Sequence, residues 1–192
     1  MRRRRFVLLA LIAPLSGCGY NRIQALSQSV DAAQGQIQAQ LQRRADLIPN
    51  LVQTVKGYAQ HEEDVFTNVA QARSGLLTAI KSGDPGQMAN ADAQMTSTLG
   101  RLMVVAEAYP QLKADRSFIA LQDELTGTEN RIAVARGDYN DAVKQYNTYI
   151  TQFPALLTAK ATGAKQKAYY QATSATANEA PAVDFSKKPP LD

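Results

Sequence analysis

"RRADLIPNLV", residues 43–52, sets two arginines and an aspartate into an apolar helical rhythm and then adds a proline. A proline inside a helix costs about 3 kcal/mol, because it removes a backbone donor and its ring clashes with the preceding turn. Around it, apolar or small residues recur at steps of mostly three and four. Ile23, Leu26, Val30, Ala33, Ile37 and Leu41 precede it; Ile48, Leu51, Val55, Tyr58, Val65, Val69, Ala72, Leu76 and Ile80 follow. That is a seam of about 3.5 residues per turn. An unbroken helix of this length would run about 85 Å at 1.5 Å per residue. The spacing therefore predicts a kink or hinge near Pro49. Arg44 takes a seam position where charge replaces an apolar residue, and Glu62 takes a second. Pro49 also strips Ala45 of its helical hydrogen-bond donor, so a polar side chain could compensate there; Arg43, Arg44 and Asp46 fill that turn.

"KSGDPGQ" (81–87) stops this pattern with two glycines and a proline. A second helix follows from Met88 to Tyr109, with Met95, Leu99, Leu102, Met103 and Ala106 on one face, and ends before Pro110. A third opens near Asp115, a fair N-cap residue. It carries the cleanest heptads, Phe118, Leu121, Leu125, Thr128, Ile132, Ala135, Tyr139, Val143, Tyr146, Ile150 and Phe153, before Pro154. No period-2 segment competes. The expected fold is all-α: long antiparallel helices in a four-helix up-and-down bundle, counting the two halves of the first helix separately. The bundle is expected over residues 19–160. Residues 161–192 read as an extended or disordered tail, with Tyr169, Tyr170 and Phe185 as local docking points.

The N-terminus has its own logic. Arg2 to Arg5 form a basic region, Phe6 to Leu15 an apolar one, and Leu15-Ser16-Gly17-Cys18 a small-residue cleavage site. The apolar run is too short to span about 30 Å of hydrocarbon. It resembles a bacterial lipoprotein signal, which implies removal of residues 1–17 and lipid attachment at Cys18. A plain secretory signal followed by a stray thiol and a retained signal anchor stay open, although Pro14 and the short run count against the anchor. The apparent pI of 9.2 depends on this segment. Without Arg2 to Arg5, 17 basic residues face 17 acidic ones, so the basic footprint expected of a nucleic-acid binder is absent. Cys18 is the single cysteine, so an internal disulfide is impossible.

The chain offers little to an enzyme. A carboxylate-bridged dimetal bundle needs two Glu-x-x-His pairs, and the sequence has one histidine, His61. A mononuclear site at His61 with Glu62 or Glu63 competes with a simpler reading, an exposed polar turn. No Gly-x-Ser-x-Gly elbow exists, and "KSGDPGQ" lacks the ending of a P-loop. Neither a catalytic set, a cofactor nor a metal is expected. Charges on the seam should instead pair across helices, because unpaired buried charge is expensive. Arg44 and Glu62 are the candidates. Arg131 and Arg136, with Glu124 and Glu129, sit at offsets that permit i,i+5 or cross-helix pairing better than i,i+4 ladders; solvated faces are the competing reading. "DYNDAVKQYNTY" repeats Tyr-Asn at a seven-residue interval, with Tyr139 and Tyr146 as core side chains whose hydroxyls reach a wet edge.

Two blocks, "LQRRADLIPNLVQTVKGYAQHEEDVFTNVAQAR" (41–73) and "YPQLKADRSFIALQDELTGTENRIAVARGDYNDAVKQYNTYITQFP" (109–154), resemble the LemA family, as does "APAVDF" (180–185). The resemblance implies a helical bundle tethered at its N-terminus and facing away from the cytoplasm. It also implies neighbours such as a zinc metalloprotease or TPM-domain proteins. The family's common anchor is an uncleaved membrane helix, from which the lipobox here departs. The expected function is a non-enzymatic, membrane-anchored scaffold or adaptor for envelope proteins. A small-ligand or divalent-metal-binding bundle is the alternative. Self-association through Ala/Gln-rich heptads is a further open reading. Location is expected at the cell membrane or outer membrane on the periplasmic side; Gly19 after the cysteine resembles an outer-membrane sorting context.

Overall fold

The computed structural model describes residues 2–172, with side chains from Gly19 onward. These residues form six helices and no strand. The helices are α1 Arg2–Lys56, α2 Glu63–Ser82, α3 Pro85–Glu107, the single turn α4 Pro110–Lys113, α5 Arg116–Thr151 and α6 Ala155–Thr162. An extended strap, residues 164–172, follows α6.

Each boundary has a local cause. Gly83, at φ 69°, takes the left-handed conformation that closes α2. Asp84 then accepts from Gln87 N–H at 2.7 Å, with Pro85 in the first turn of α3. Asp115 caps α5 by accepting from Ser117 N–H at 2.7 Å and Phe118 N–H at 3.2 Å. Its other oxygen accepts from the Tyr58 hydroxyl at 2.9 Å, tying the end of α1 to the start of α5.

The long first seam divides differently from the expectation. Pro49 lies inside α1, which continues to Lys56, and the chain breaks at residues 57–62. Tyr58 consequently leaves the seam and is exposed, and Glu62 becomes the N-cap residue of α2 without a side-chain capping bond.

α1 packs chiefly on α5 and α2 chiefly on α3, while α1–α2 contacts join the two pairs. Hydrogen bonds give the directions. Gln34 and Gln38 of α1 donate to Gly83 O and Ile80 O at 2.6 and 3.4 Å, and Arg73 of α2 donates to Ala45 O at 2.7 Å. α1 and α2 therefore run oppositely. Arg43 meets Glu124 and Gln40 meets Arg131, so α1 and α5 do too. The core lies along these seams, with Ile37, Leu41, Leu51, Leu76 and Leu102 at 0% exposure. Each such side chain contributes about 1.5–3 kcal/mol relative to exposure.

Candidate functional site: a buried ion cluster and a main-chain clamp

Arg44 lies at the centre of the bundle. Its side chain is 5% exposed, and Nη1 donates to Asp92 Oδ1 of α3 at 2.6 Å. Nη1 also lies 2.7 Å from Glu129 Oε2 of α5, and Nη2 donates to Thr96 Oγ1 at 2.9 Å. One guanidinium thus joins three helices through its fixed planar fork. Burial pushes the Asp92 carboxyl above its ordinary range, and Glu129 adds to the rise. Arg44 pulls it down, but desolvation wins. Among the described residues, three buried polar atoms find no aligned hydrogen-bond partner: Arg44 Nε, Glu129 Oε2 and the Tyr170 hydroxyl. The charges of Asp92, Arg136, Arg44 and Glu129 all act on Tyr170, and burial raises its hydroxyl far above the ordinary value.

One turn on, Pro49 leaves the carbonyl of Ala45 without its helical donor. Arg73, reaching across from α2, supplies the missing bond through Nε at 2.7 Å. The proline is therefore a tie point between helices, met by a residue that no local pattern around it names. Pro49 also lines an open groove of about 580 Å³ between α1 and α2, with Val52 and Phe66 among its walls.

The remaining sequence candidates separate into surface and interior. Arg43 pairs with Glu124 at 2.7 Å, and Arg131 reaches the same Glu124 oxygen at 3.1 Å; all three are substantially exposed. Asp46 accepts from Gln42 Nε2 at 2.8 Å on the surface. Arg136 is exposed and acts on Asp92 and Tyr170 only through its charge. Glu62 stays outside the network, because the helix break removes it from the seam. Cys18 falls before the described side chains. Asp92, Thr96 and Arg73 were missed. The signal for Asp92 was present: stepping back along α3 from Leu99 and Met95 lands on it at helical spacing, a carboxylate where an apolar residue belongs.

The Tyr-Asn repeat has a function in the fold. Asn147 accepts from Lys167 N–H at 2.8 Å and donates to Lys167 O at 2.9 Å. Asn140 does the same to Tyr170, at 2.9 and 3.3 Å. Seven helical residues advance about 10.5 Å, and three extended residues about 10 Å. The two asparagines therefore match the pitch of an extended chain running opposite to α5. Tyr139 O–H donates to Ala168 O at 2.9 Å between them. Lys167 Nζ bonds Asp31 Oδ1 at 2.5 Å, and Tyr170 is buried to 3%. The packed unit thus extends past the expected boundary at residue 160 to Ala172; residues 173–192, including Phe185, lie outside the described residues.

Among the described residues, no group of three or more His, Cys, Asp or Glu is placed to hold a metal. None of their helices is long and apolar enough to cross a membrane.

The LemA family model matches residues 33–185, which include the arginine cluster, the asparagine clamp and the strap. The chain belongs to the LemA family. Among similar proteins, magnetosome proteins MamQ 1 and MamQ 2 of Paramagnetospirillum magneticum are each 29% identical over 175 residues, covering 79% of this chain and 64% of theirs. Protein LemA of Metamycoplasma hominis is 25% identical over 134 residues, covering 69% of this LemA-family chain and 60% of its own. The chain therefore spans less than two thirds of the length of these curated relatives.

Proposed function

We propose that this protein is a membrane-tethered, non-enzymatic helical scaffold or adaptor of the cell envelope, held by a lipid on Cys18 and facing the periplasm. The observation that carries the reading is how the interior polar groups are used. Arg44 joins three helices, Arg73 repairs the gap at Pro49, and Asn140 and Asn147 hold main chain. Each of these groups links one element of the fold to another. What the chain then offers a partner is its long outer faces, as four helices packed up and down and bent near Pro49 would present them. Relatives named as magnetosome proteins are named for a cell structure rather than a reaction, which supports the same reading.

Crosslinking with mass spectrometry in native membranes tests it. Reproducible crosslinks from the outer faces of α1 to α5 to particular envelope proteins are expected. Recovery of no reproducible partner overturns the adaptor role. Replacing Cys18 by Ser should release the protein from the membrane, and retention would refute the lipid tether.

A second reading, a small-ligand or divalent-metal-binding bundle, is favoured by two buried groups that find no hydrogen-bond partner among the described residues, Arg44 Nε and the Tyr170 hydroxyl. A thermal-shift screen with small polar ligands and with Mg²⁺, Zn²⁺ and Ca²⁺ separates it from the first, because a ligand bound only by the folded state raises the melting temperature.

A further inference from the structure

Phe153 is the most exposed of the large apolar side chains among the described residues, at 80%, and Leu157, one turn on, is 61% exposed. Both lie at the corner where α5 gives way to α6. Ala155 and Ala159 turn the opposite side of α6 into the bundle, so packing directs Leu157 outward. This corner touches the start of the described side chains. A Cβ placed on Gly19 would meet Thr158 Oγ1 at 3.2 Å, and Tyr20 next to it is 45% exposed. Gly19 follows Cys18 directly, so the corner sits beside the tether.

Cations outnumber carboxylates at this end. Residues 19–30 and 142–172 contain no Asp or Glu, yet they hold Arg22, Lys144, Lys160, Lys165 and Lys167. Asp31 and Asp141 border the two segments, and Asp141 lines a groove with Arg22 and Lys144. Among the described residues, only Lys167 of these five forms an ion pair, with Asp31. Since the chain after residue 17 is formally neutral, the excess of carboxylates lies away from this end.

We propose that Tyr20, Phe153 and Leu157 enter the interface of a bilayer carrying anionic headgroups, with the surrounding cations on the phosphates. Aromatic side chains favour that zone, and each nearby Lys or Arg adds attraction to an anionic surface. A second copy fits poorly. A stable protein interface needs roughly 800 Å² from each partner, more than three side chains give, and two cationic ends repel. The inference rests on the Cys18 tether, and the contact would fix how the bundle stands on the membrane.

The chain has no tryptophan, so Phe153→Trp in the full, lipidated protein is a clean reporter. It is reconstituted in phosphatidylcholine–phosphatidylglycerol vesicles with and without brominated acyl chains. Val104→Trp, on exposed α3 toward the far end, is the comparison, and Leu157→Trp repeats the measurement. Blue-shifted emission from position 153 that is quenched by bromolipid, with position 104 unaffected, is the expected result. Protein that floats with the vesicles while position 153 is quenched no more than position 104 overturns the contact and keeps the tether. A blue shift without bromolipid quenching means a protein cover, and it also overturns the contact. Protein that does not float overturns both.

Discussion

Arg43 and Arg44 stand side by side in α1, about 100° apart around the helix, and each meets a glutamate of α5. Arg43 pairs with Glu124 with its side chain 59% exposed, whereas Arg44 approaches Glu129 with its side chain 5% exposed. The chemistry is the same and the surroundings are opposite. Water already solvates Arg43 and Glu124, so their pairing exchanges one good environment for another. Arg44 has given up water and depends on Asp92, Thr96 and Glu129. Removing it would leave the largely buried Asp92 carboxylate without its counter-ion. One step along a helix thus separates a contact the fold can lose from one that holds three helices together.

The largest effect should come from the interior member. Arg44→Ala should destabilise the protein by about 3–5 kcal/mol in urea unfolding. A hydrophobic pair, Arg44→Leu with Asp92→Leu, should cost less than the sum of the single changes; full additivity would mean that the two are not coupled.

Next is the clamp. Asn140→Ala and Asn147→Ala each remove a donor and an acceptor from strap main chain and should cost about 1–3 kcal/mol apiece. Amide exchange at residues 164–172 should accelerate in both, more than exchange in the core of α1.

Arg73→Ala should cost about 1 kcal/mol, because it orphans the Ala45 carbonyl. In a Pro49→Ala background, the N–H of residue 49 returns to that carbonyl, and the cost of Arg73→Ala should shrink. Identical costs in the two backgrounds would separate Arg73 from the proline.

Arg43→Ala should change stability by no more than about 1 kcal/mol, with the effect fading as salt rises.

The finest contrast is one of slope with pH. Asp92 is raised above its ordinary 3.8 by burial, so its favourable contribution is present below 3.8 and lost as pH rises through the folded value. Asp115 is held below 3.8 by the Tyr58 hydroxyl and the N–H groups of Phe118 and Ser117. Its contribution is present above 3.8 and lost as pH falls through the folded value. Wild-type stability minus that of Asp92→Asn should therefore fall with pH above 3.8, and the difference for Asp115→Asn should rise with pH below 3.8. Slopes of the same sign would contradict the two environments.

Much of this could be read in the sequence, and what could not has a common cause. The α5 seam from Phe118 to Ile150 was visible because heptad spacing is local; nearly every position on it is buried. Phe153 continued the spacing but lies beyond the last turn, at 80% exposure. The helix break at residues 57–62 was hidden because Pro49 carried the stronger local signal. Its penalty is offset by Arg73, which only the folded topology brings near. Arg44 was legible as a charge on a seam, but its partner Asp92 required knowing that α3 crosses there. The tail's composition argued for disorder because the ordering groups, Asn140 and Asn147, belong to another helix.

The asparagine clamp has a consequence for how the chain tolerates change. Both asparagines grip peptide groups, and neither touches the identity of residues 168 and 169. Those positions can be respelled while the grip is kept. Their number cannot change. Deleting one residue between Lys167 and Tyr170 shortens the span by about 3.3 Å, out of step with a helix whose own pitch is fixed. The strap would then seat on one asparagine and miss the other. This part of the chain is held by its length, and insertions and deletions there should be far more damaging than substitutions.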